Sequence, residues 1–190
     1  MIKVLGFGAS SMEGVGDHER GGFLRRLERK LSAAGRPAEM LNLGVGGNTT
    51  VDMMARVRAT SRHLPCAVVV LLGCNDVPRD RDRNPERRVA MDAYTANVRA
   101  ILAALRGPDS LFISSFAVSE AKTGVQTQVL AAYMAAAMGV AHDLRYRLWD
   151  LQTESRPWGE RYLAADGVHY GPEGHELLAT GVLERLALRP

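Results

Sequence analysis

Cysteine is scarce in this chain, and long apolar runs are missing. The two cysteines, Cys66 and Cys74, are too few for a disulfide framework, so we expect free thiols in a reducing compartment rather than the one disulfide that they could form. The longest nearly apolar run, residues 131–141, is too short to span a bilayer. The N-terminal segment, residues 1–7, is too short and too weakly charged for a signal peptide and is predicted to be a strand. These features favour a cytoplasmic protein without a membrane span.

A one-sided charge excess is also missing. The formal net charge is +3, arginines alternate with acidic residues, and aromatic residues make up 6% of the chain. Because no basic face with interleaved aromatics is present, we expect no nucleic acid partner. The length of 190 residues, with 46% hydrophobic and 24% charged residues, is typical of one globular domain covering residues 1–190. Nothing in the sequence indicates the oligomeric state.

Predicted strands and helices alternate along the whole chain. Apolar runs predict strands at residues 2–7, 38–43, 66–72, 111–116 and 147–150. Helical spacing predicts helices at residues 23–34, 49–63, 89–106, 125–138 and 172–188, and polar loops at 8–21, 73–88 and 153–170. The run at 66–72 is apolar on both faces, as expected for a central strand of a parallel sheet. The alternation predicts an α/β fold with helices on both faces of that sheet.

Four loops with polar or glycine-rich sequences follow predicted strands. They begin at Gly8, at Gly44 and at Gly73, and the fourth precedes His169. In parallel α/β sheets, ligands bind beyond the carboxyl ends of the strands. We therefore expect all four loops to meet at the same edge of the sheet and to form the functional site.

An acid and an imidazole stand three residues apart in the sequence Asp166-Gly167-Val168-His169, just before Pro172. That spacing suits a tight turn at the entrance of a helix, with the proline near the first helical position. The carboxylate of Asp166 can then hold one ring nitrogen of His169 and leave the other free to accept a proton. The alternative is a helix cap beside a surface histidine.

Three further candidates follow the other strands. Ser10 stands at a turn after the first strand, where a hydroxyl and a backbone N–H can both face a ligand. Gly47 belongs to a glycine-rich loop whose backbone can approach a ligand closely. Asn75 can donate its side-chain amide to an oxyanion. The alternatives are a helix-capping serine, a flexible turn and an Asx turn.

Together, in this order, these blocks resemble the SGNH hydrolases, also called GDSL-type esterases and lipases. The matching residues are Ser10, Gly47, Asn75 and His169, and the resemblance spans about residues 4–175. The chain departs from the family pattern at three positions. Ala9 stands where the family usually has Asp, Ser11 where it has Leu or Ile, and Tyr170 where many members have Pro.

The resemblance implies a flavodoxin-like three-layer α/β/α sandwich with about five strands. It also implies a serine esterase that hydrolyses carboxylic esters without a metal or a cofactor. Ser10 is then the nucleophile, His169 the general base and Asp166 the residue that orients it. The oxyanion is implied to bind the backbone N–H groups of Ser10 and Gly47 and the amide of Asn75. Because long insertions are absent, we expect a shallow site for short-chain or acetyl esters of small alcohols or sugars.

Other functions fit the residues less well. The segment at residues 6–11 resembles a dinucleotide fingerprint, but Ser11 occupies its third glycine position. The larger α/β-hydrolase fold requires Gly-x-Ser-x-Gly, and Met12 occupies the last position here. An inactive, ligand-binding relative is favoured only by Ala9. An acyltransferase with the same acyl-enzyme intermediate needs only a site that excludes water and accepts another alcohol.

The remaining chemistry-bearing residues have simpler interpretations. Cys74 is predicted to pack in the core, and His18, His63, His142 and His175 to be surface or capping residues. The arginine-rich stretch at 79–88 is predicted either to be a solvated loop or to screen substrates at the rim of the site. Trp158 and Tyr162 either wall a substrate pocket or pack within their loop.

Overall fold

Five parallel strands form a central sheet in the computed structural model, which describes residues 1–17, 19–60, 67–80 and 82–186. The strands are β1 (Ile2–Gly8), β2 (Ala38–Gly44), β3 (Ala67–Leu71), β4 (Asp109–Ile113) and β5 (Arg147–Trp149). Their order across the sheet is β2-β1-β3-β4-β5, and each neighbouring pair is parallel. This is the flavodoxin-like order, in which the direction of sheet growth switches between β1 and β3.

Helices cover both faces of the sheet. They are α1 (Ser10–Glu13), α2 (Gly22–Ala33), α3 (Thr50–Thr60), α4 (Met91–Leu105), α5 (Glu120–Thr123), α6 (Thr127–Asp143), α7 (Leu151–Ser155) and α8 (Pro172–Arg185). Short 3-10 turns form at Pro85–Arg87 and Arg156–Trp158. The predicted three-layer α/β/α sandwich is thereby confirmed.

Alternate side chains of the central strand divide the core into two layers. Val68 and Val70 of β3 pack in a cluster with buried residues of α3, α4 and α6. Val69 and Leu71 point to the opposite face and pack with buried residues of α2 and α8. A strand buried on both faces needs apolar residues at every position, which explains the continuous apolar run.

The five predicted strands are confirmed, although the prediction for β4 was displaced. That strand covers Asp109–Ile113 rather than 111–116, so Ser115 lies beyond the sheet. Helix α6 runs past 138 to Asp143 because Val140 and Ala141 continue its buried face. The predicted ends of α3 at 63 and of α8 at 188, and Cys66, lie outside the described residues, as do His18 and His63.

Two short helices stand in segments that were predicted to be loops. Helix α1 is held by tertiary contacts, since Met12 is buried and its carbonyl oxygen accepts a hydrogen bond from Asn42 Nδ2 at 2.8 Å. Helix α7 begins after Asp150, whose carboxylate caps it by accepting the backbone N–H of Thr153 at 3.2 Å. Both helices depend on residues outside the local apolar pattern.

The prediction that His175 is a surface or capping residue was wrong. Its side chain is fully buried where α8 packs against α2, and its ring stacks on Phe23 with the centroids 6.5 Å apart. Its Nε2 donates to the carbonyl oxygen of Val15 at 3.0 Å, and burial lowers its pKa.

Among the helices of the described residues, none combines the length and apolar character needed to cross a bilayer.

Candidate active site

A cavity of about 210 Å³ opens at the carboxyl edge of the sheet. It is lined by Ala9, Ser10, Ser11, Gly47, Leu71, Gly73, Cys74, Asn75, Arg79, Ser115, Val168 and His169. These residues come from the loops after β1, β2, β3 and β4 and from the turn before α8. The prediction that the four loops meet at one edge is therefore confirmed. Asp166 stands behind His169 and is absent from this lining.

Ser10 is the first residue of α1, directly after β1. The backbone N–H groups of the first helical turn have no acceptor within the helix, so the N–H of Ser10 is among the donors left for a ligand. Its side chain is partly exposed, and Ala9 before it is buried. Ser11 lines the same cavity, so position alone does not separate the two hydroxyls.

Asp166 and His169 form the tight turn that their spacing predicts. Asp166 Oδ2 lies 2.6 Å from His169 Nδ1, while Oδ1 accepts the backbone N–H groups of Val168 and His169, both at 2.9 Å. Burial alone would raise the pKa of Asp166, but these hydrogen bonds outweigh it and lower that pKa to about 2. An ionised carboxylate at Nδ1 fixes the ring and directs Nε2 away from Asp166.

The turn that carries the histidine is shaped by Gly167, which has φ +73°. A Cβ atom at this position would lie 2.7 Å from the Cβ of Ser119. Tyr170, the residue after His169, is buried, and its hydroxyl accepts a hydrogen bond from the backbone N–H of Phe116 at 3.1 Å. Tyr170 therefore ties the histidine turn to the segment after β4, which gives a structural reason for the departure from Pro.

Gly47 and Asn75 approach the cavity from two neighbouring loops. Gly47 has φ +74°, and no atom lies within 4 Å of the position that its Cβ would occupy. Asn75 donates its side-chain amide to the carbonyl oxygen of Asn48 at 3.0 Å rather than to its own backbone. The two loops are thereby joined next to the cavity, which Gly47 and Asn75 both line.

The loop after β3 is anchored by the residue that follows Asn75. Asp76 is buried and accepts hydrogen bonds from the backbone N–H and the hydroxyl of Thr50, at 2.9 and 2.6 Å. Burial raises the pKa of Asp76, although these two hydrogen bonds oppose that change. The carboxylate thus fixes the start of α3 relative to Asn75.

The sequence patterns did not single out Arg56, which joins the end of β1 to the end of β2 and the loop that follows it. Its Nη2 donates to Gly8 O at 2.7 Å, its Nη1 to Leu43 O at 2.7 Å, and its Nε to Asn48 Oδ1 at 2.8 Å. Its guanidinium also lies 4.4 Å from the centre of the Phe7 ring. The one signal in the sequence was an arginine at helical spacing from the buried Met53.

Two other cavity residues had weaker signals. Ser115 follows β4, and its part in the lining depends on where that strand ends. Arg79 belongs to the arginine-rich stretch, and its place in the cavity favours the rim interpretation over a purely solvated loop.

Trp158 and Tyr162 pack on Phe116 and on each other, with ring centres 5.3 to 6.1 Å apart, and are not among the cavity residues. Cys74 is buried, as predicted, and also lines the cavity.

Metal ligands are not grouped in the part of the chain that the structure describes. No cluster of three or more His, Cys, Asp or Glu side chains there is arranged to hold an ion. The site instead offers three serine hydroxyls, an imidazole paired with a carboxylate, and amide donors. Such a set suits nucleophilic attack on a carbonyl carbon with hydrogen-bond support for the resulting oxyanion.

Comparison with known proteins identifies the family of this chain. Residues 7–177 match the model of the GDSL-like Lipase/Acylhydrolase family. The human isoamyl acetate-hydrolyzing esterase 1 homolog is 25% identical over 167 residues, and the mouse protein is 28% identical over the same length. Each match covers 75% of this chain and 66% of the relative. The chain therefore spans just under two thirds of the length of these relatives.

Solved structures share the fold at lower identity. A lipase/acylhydrolase from Enterococcus faecalis superposes with a TM-score of 0.81 at 21% identity, with both chains covered completely. Axe2, an acetylxylan esterase from Geobacillus stearothermophilus, gives a TM-score of 0.81 at 21% identity and covers 99% of this chain and 95% of its own. With the family model matching most of its length, the chain belongs to the GDSL-like lipase/acylhydrolase family.

Proposed function

We propose that this protein is a serine esterase that hydrolyses short-chain carboxylic esters through Ser10, His169 and Asp166. The observation that carries the proposal is the contact between Asp166 Oδ2 and His169 Nδ1, at 2.6 Å, beside a cavity that Ser10 also lines. Family membership supports ester hydrolysis as the reaction class. The proposed catalytic unit is a single SGNH domain formed by residues 1–190.

In the proposed mechanism, Ser10 Oγ attacks the ester carbonyl while His169 Nε2 takes its proton. Asp166 holds the ring through Nδ1 and stabilises the imidazolium that forms. The tetrahedral intermediate collapses to an acyl-enzyme, and His169 returns the proton to the leaving alcohol. A water molecule, deprotonated by His169, then attacks the acyl-enzyme and releases the acid and free Ser10.

The oxyanion of each tetrahedral intermediate is proposed to bind the N–H groups of Ser10 and Gly47 and the amide of Asn75. Ser10 supplies an N–H from the first turn of α1, and Gly47 has an open face at the cavity. Preorganised donors of this kind stabilise the developing charge without reorganising during the reaction. Ester hydrolysis by this route requires no metal or cofactor.

Cavity size supports short acyl groups. The cavity holds about 210 Å³, whereas pockets for drug-sized ligands hold ~300–1,000 Å³. Two of the compared proteins are named for acetyl esters, isoamyl acetate and acetylxylan. We therefore propose acetyl and other short-chain esters of small alcohols or sugars as substrates.

The experiment is hydrolysis of a chain-length series of p-nitrophenyl esters by wild type, Ser10→Ala and Ser11→Ala. We expect the highest kcat/KM for acetyl to butyryl esters, loss of activity in Ser10→Ala and retention in Ser11→Ala. A steep preference for long acyl chains would contradict the substrate class. If wild type hydrolyses none of the esters, an inactive relative is favoured, and Ala9 is the feature that supports it. Transfer of the acyl group to an added alcohol would indicate an acyltransferase.

A further inference from the structure

Arg79 brings a positive charge into the wall of the candidate active site. It follows Asn75 by four residues in the loop after β3, and it lines the same cavity as Ser10 and His169. Its side chain is partly buried there. The proposed ester hydrolysis does not use this cation, so its place in the wall calls for another role.

The guanidinium of Arg79 is poorly supplied with acceptors. Within the described residues its buried Nε has no hydrogen-bond partner, and its Nη2 meets only the sulfur of Cys74, at 3.7 Å. An arginine carries five N–H donors, and sulfur is a weak acceptor. Because burial raises the pKa of Cys74, the sulfur remains a neutral thiol and supplies no counter-charge.

Two acidic side chains within or near the loop are already paired with other arginines. Asp82 takes two hydrogen bonds from Arg88, at 2.5 and 3.0 Å, although it is near enough to Arg79 to be influenced by its charge. Asp52 is paired with Arg87 at 3.2 Å. Arg87 and Arg88 thus have carboxylate partners, whereas no ion pair of Arg79 is formed in the described part of the chain.

Leaving a guanidinium partly desolvated without an acceptor is unfavourable, and a ligand that supplies both charge and oxygen atoms relieves that cost. A carboxylate fits best because its two oxygens match the planar fork of an arginine. A neutral hydroxyl supplies an acceptor without the charge. The unused donors of Arg79 therefore favour an anionic group on the substrate.

We propose that Arg79 is a specificity-determining residue that selects esters carrying a carboxylate a few bonds from the scissile carbonyl. This inference rests on the proposed esterase function and narrows its substrate class to half-esters of dicarboxylic acids or acylated hydroxy acids. In both cases the ester reacts at Ser10 while the carboxylate of the same molecule pairs with Arg79. A cavity of about 210 Å³ accommodates substrates of that size.

The test compares kcat/KM for charged and neutral esters of the same shape. Monoethyl succinate carries its carboxylate on the acyl side of the ester, and ethyl succinamate is its neutral partner. 3-Acetoxypropanoate carries its carboxylate on the alcohol side, and 3-acetoxypropanamide is its neutral partner. Wild type is expected to prefer the carboxylate in at least one pair by a factor on the order of 10–10², as for a charge-assisted hydrogen bond.

Three variants identify the source of that preference. Arg79→Met is expected to abolish it, and Arg79→Lys to retain part of it, because an ammonium keeps the charge without the fork. Arg83→Met removes the same charge from an exposed position of the same loop and is expected to leave the ratio unchanged. Thermal unfolding of each variant establishes that it is folded.

Two results would overturn the inference. One is a wild type that prefers the carboxylate in neither pair, and the other is a preference that survives in Arg79→Met. If wild type hydrolyses no ester at all, the proposed function fails. Calorimetric titration with monoethyl succinate then tests separately whether Arg79 binds a carboxylate. Binding that is lost in Arg79→Met supports the anion site, and absence of binding to wild type contradicts it.

Discussion

Asn75 donates a side-chain hydrogen bond of 3.0 Å to the backbone carbonyl oxygen of Asn48. That contact joins the loop after β3 to the glycine-rich loop after β2 and fixes the plane of the amide. An amide nitrogen carries two N–H groups, so the second remains available at the cavity that Asn75 lines. The geometry that holds the loops together thus also orients a donor for the proposed oxyanion.

Replacing Asn75 with Ala is expected to lower kcat on the order of 10²–10³, because one oxyanion donor is lost. The fold should survive, with a loss of stability of about 1 kcal/mol for the bond to Asn48. Asn97→Ala is the matched control, since Asn97 Nδ2 donates to Thr50 Oγ1 at 3.2 Å from a similarly half-buried position outside the cavity lining. Equal turnover in the two variants would refute the oxyanion role.

Replacing Arg56 with Met removes three hydrogen bonds, to Gly8 at the end of β1, Leu43 near the end of β2 and Asn48 in the loop after β2. We expect a stability loss on the order of 2–4 kcal/mol and a decrease in kcat of roughly 10–10², because the reacting groups lose their alignment.

The control for Arg56 is Arg99→Met, which removes an exposed ion pair with Asp143. Exposed pairs contribute about 0–1 kcal/mol, so stability and kcat should change little in that variant. Steady-state kinetics and urea unfolding measure both quantities. An Arg56→Met protein with wild-type kcat would show that the ends of β1 and β2 keep their alignment without Arg56.

Replacement by Ala should have opposite effects on stability at Gly47 and at Gly139. Gly47 has φ +74°, and Gly139 is helical with open space around it. Gly47→Ala is expected to destabilise the fold by about 1–2 kcal/mol through backbone strain alone. Gly139→Ala is expected to stabilise it by roughly 0.5–1 kcal/mol. Thermal unfolding of both variants tests this, and a stabilised Gly47→Ala protein would mean that the turn does not hold its left-handed conformation in solution.

Acid should weaken the contribution of Asp166 to folding. Its pKa is about 2 in the native protein against an ordinary 3.8, despite burial, because it accepts hydrogen bonds from His169 and Val168. The unfolded chain therefore binds this proton more readily, so the stabilisation is present above pH 3.8 and is lost as the pH falls towards about 2. The difference in unfolding free energy between wild type and Asp166→Asn should narrow over that window. A difference that stays constant across it would contradict the assigned hydrogen bonds.

Local sequence patterns were sufficient to predict the parallel sheet and the turn that carries His169. The apolar run around Val69 identifies a central strand because burial on both faces leaves no polar position. Asp166 and His169 are three residues apart, so their contact is a local property of one turn. Ser10, Gly47 and Asn75 became candidates because each follows a predicted strand, and the resemblance to the SGNH hydrolases implied their roles; all three line the cavity.

Residues whose roles depend on contacts between distant segments were missed or misjudged. Arg56 has no recognisable motif, and its function appears only when the ends of β1 and β2 meet over α3. His175 was misjudged because its burial depends on the packing of α8 against α2. Arg79 was left between two interpretations, since sequence alone does not reveal that the nearby Asp82 is paired with Arg88.

The most direct test of the central claim is labelling with a fluorophosphonate, followed by peptide mapping of the modified serine. Wild type and Ser11→Ala are expected to take up one equivalent of the label on Ser10, with simultaneous loss of ester hydrolysis, and Ser10→Ala is expected to take up none. A label on Ser11, or an active enzyme that resists labelling, would contradict the assignment of Ser10 as the nucleophile activated by His169.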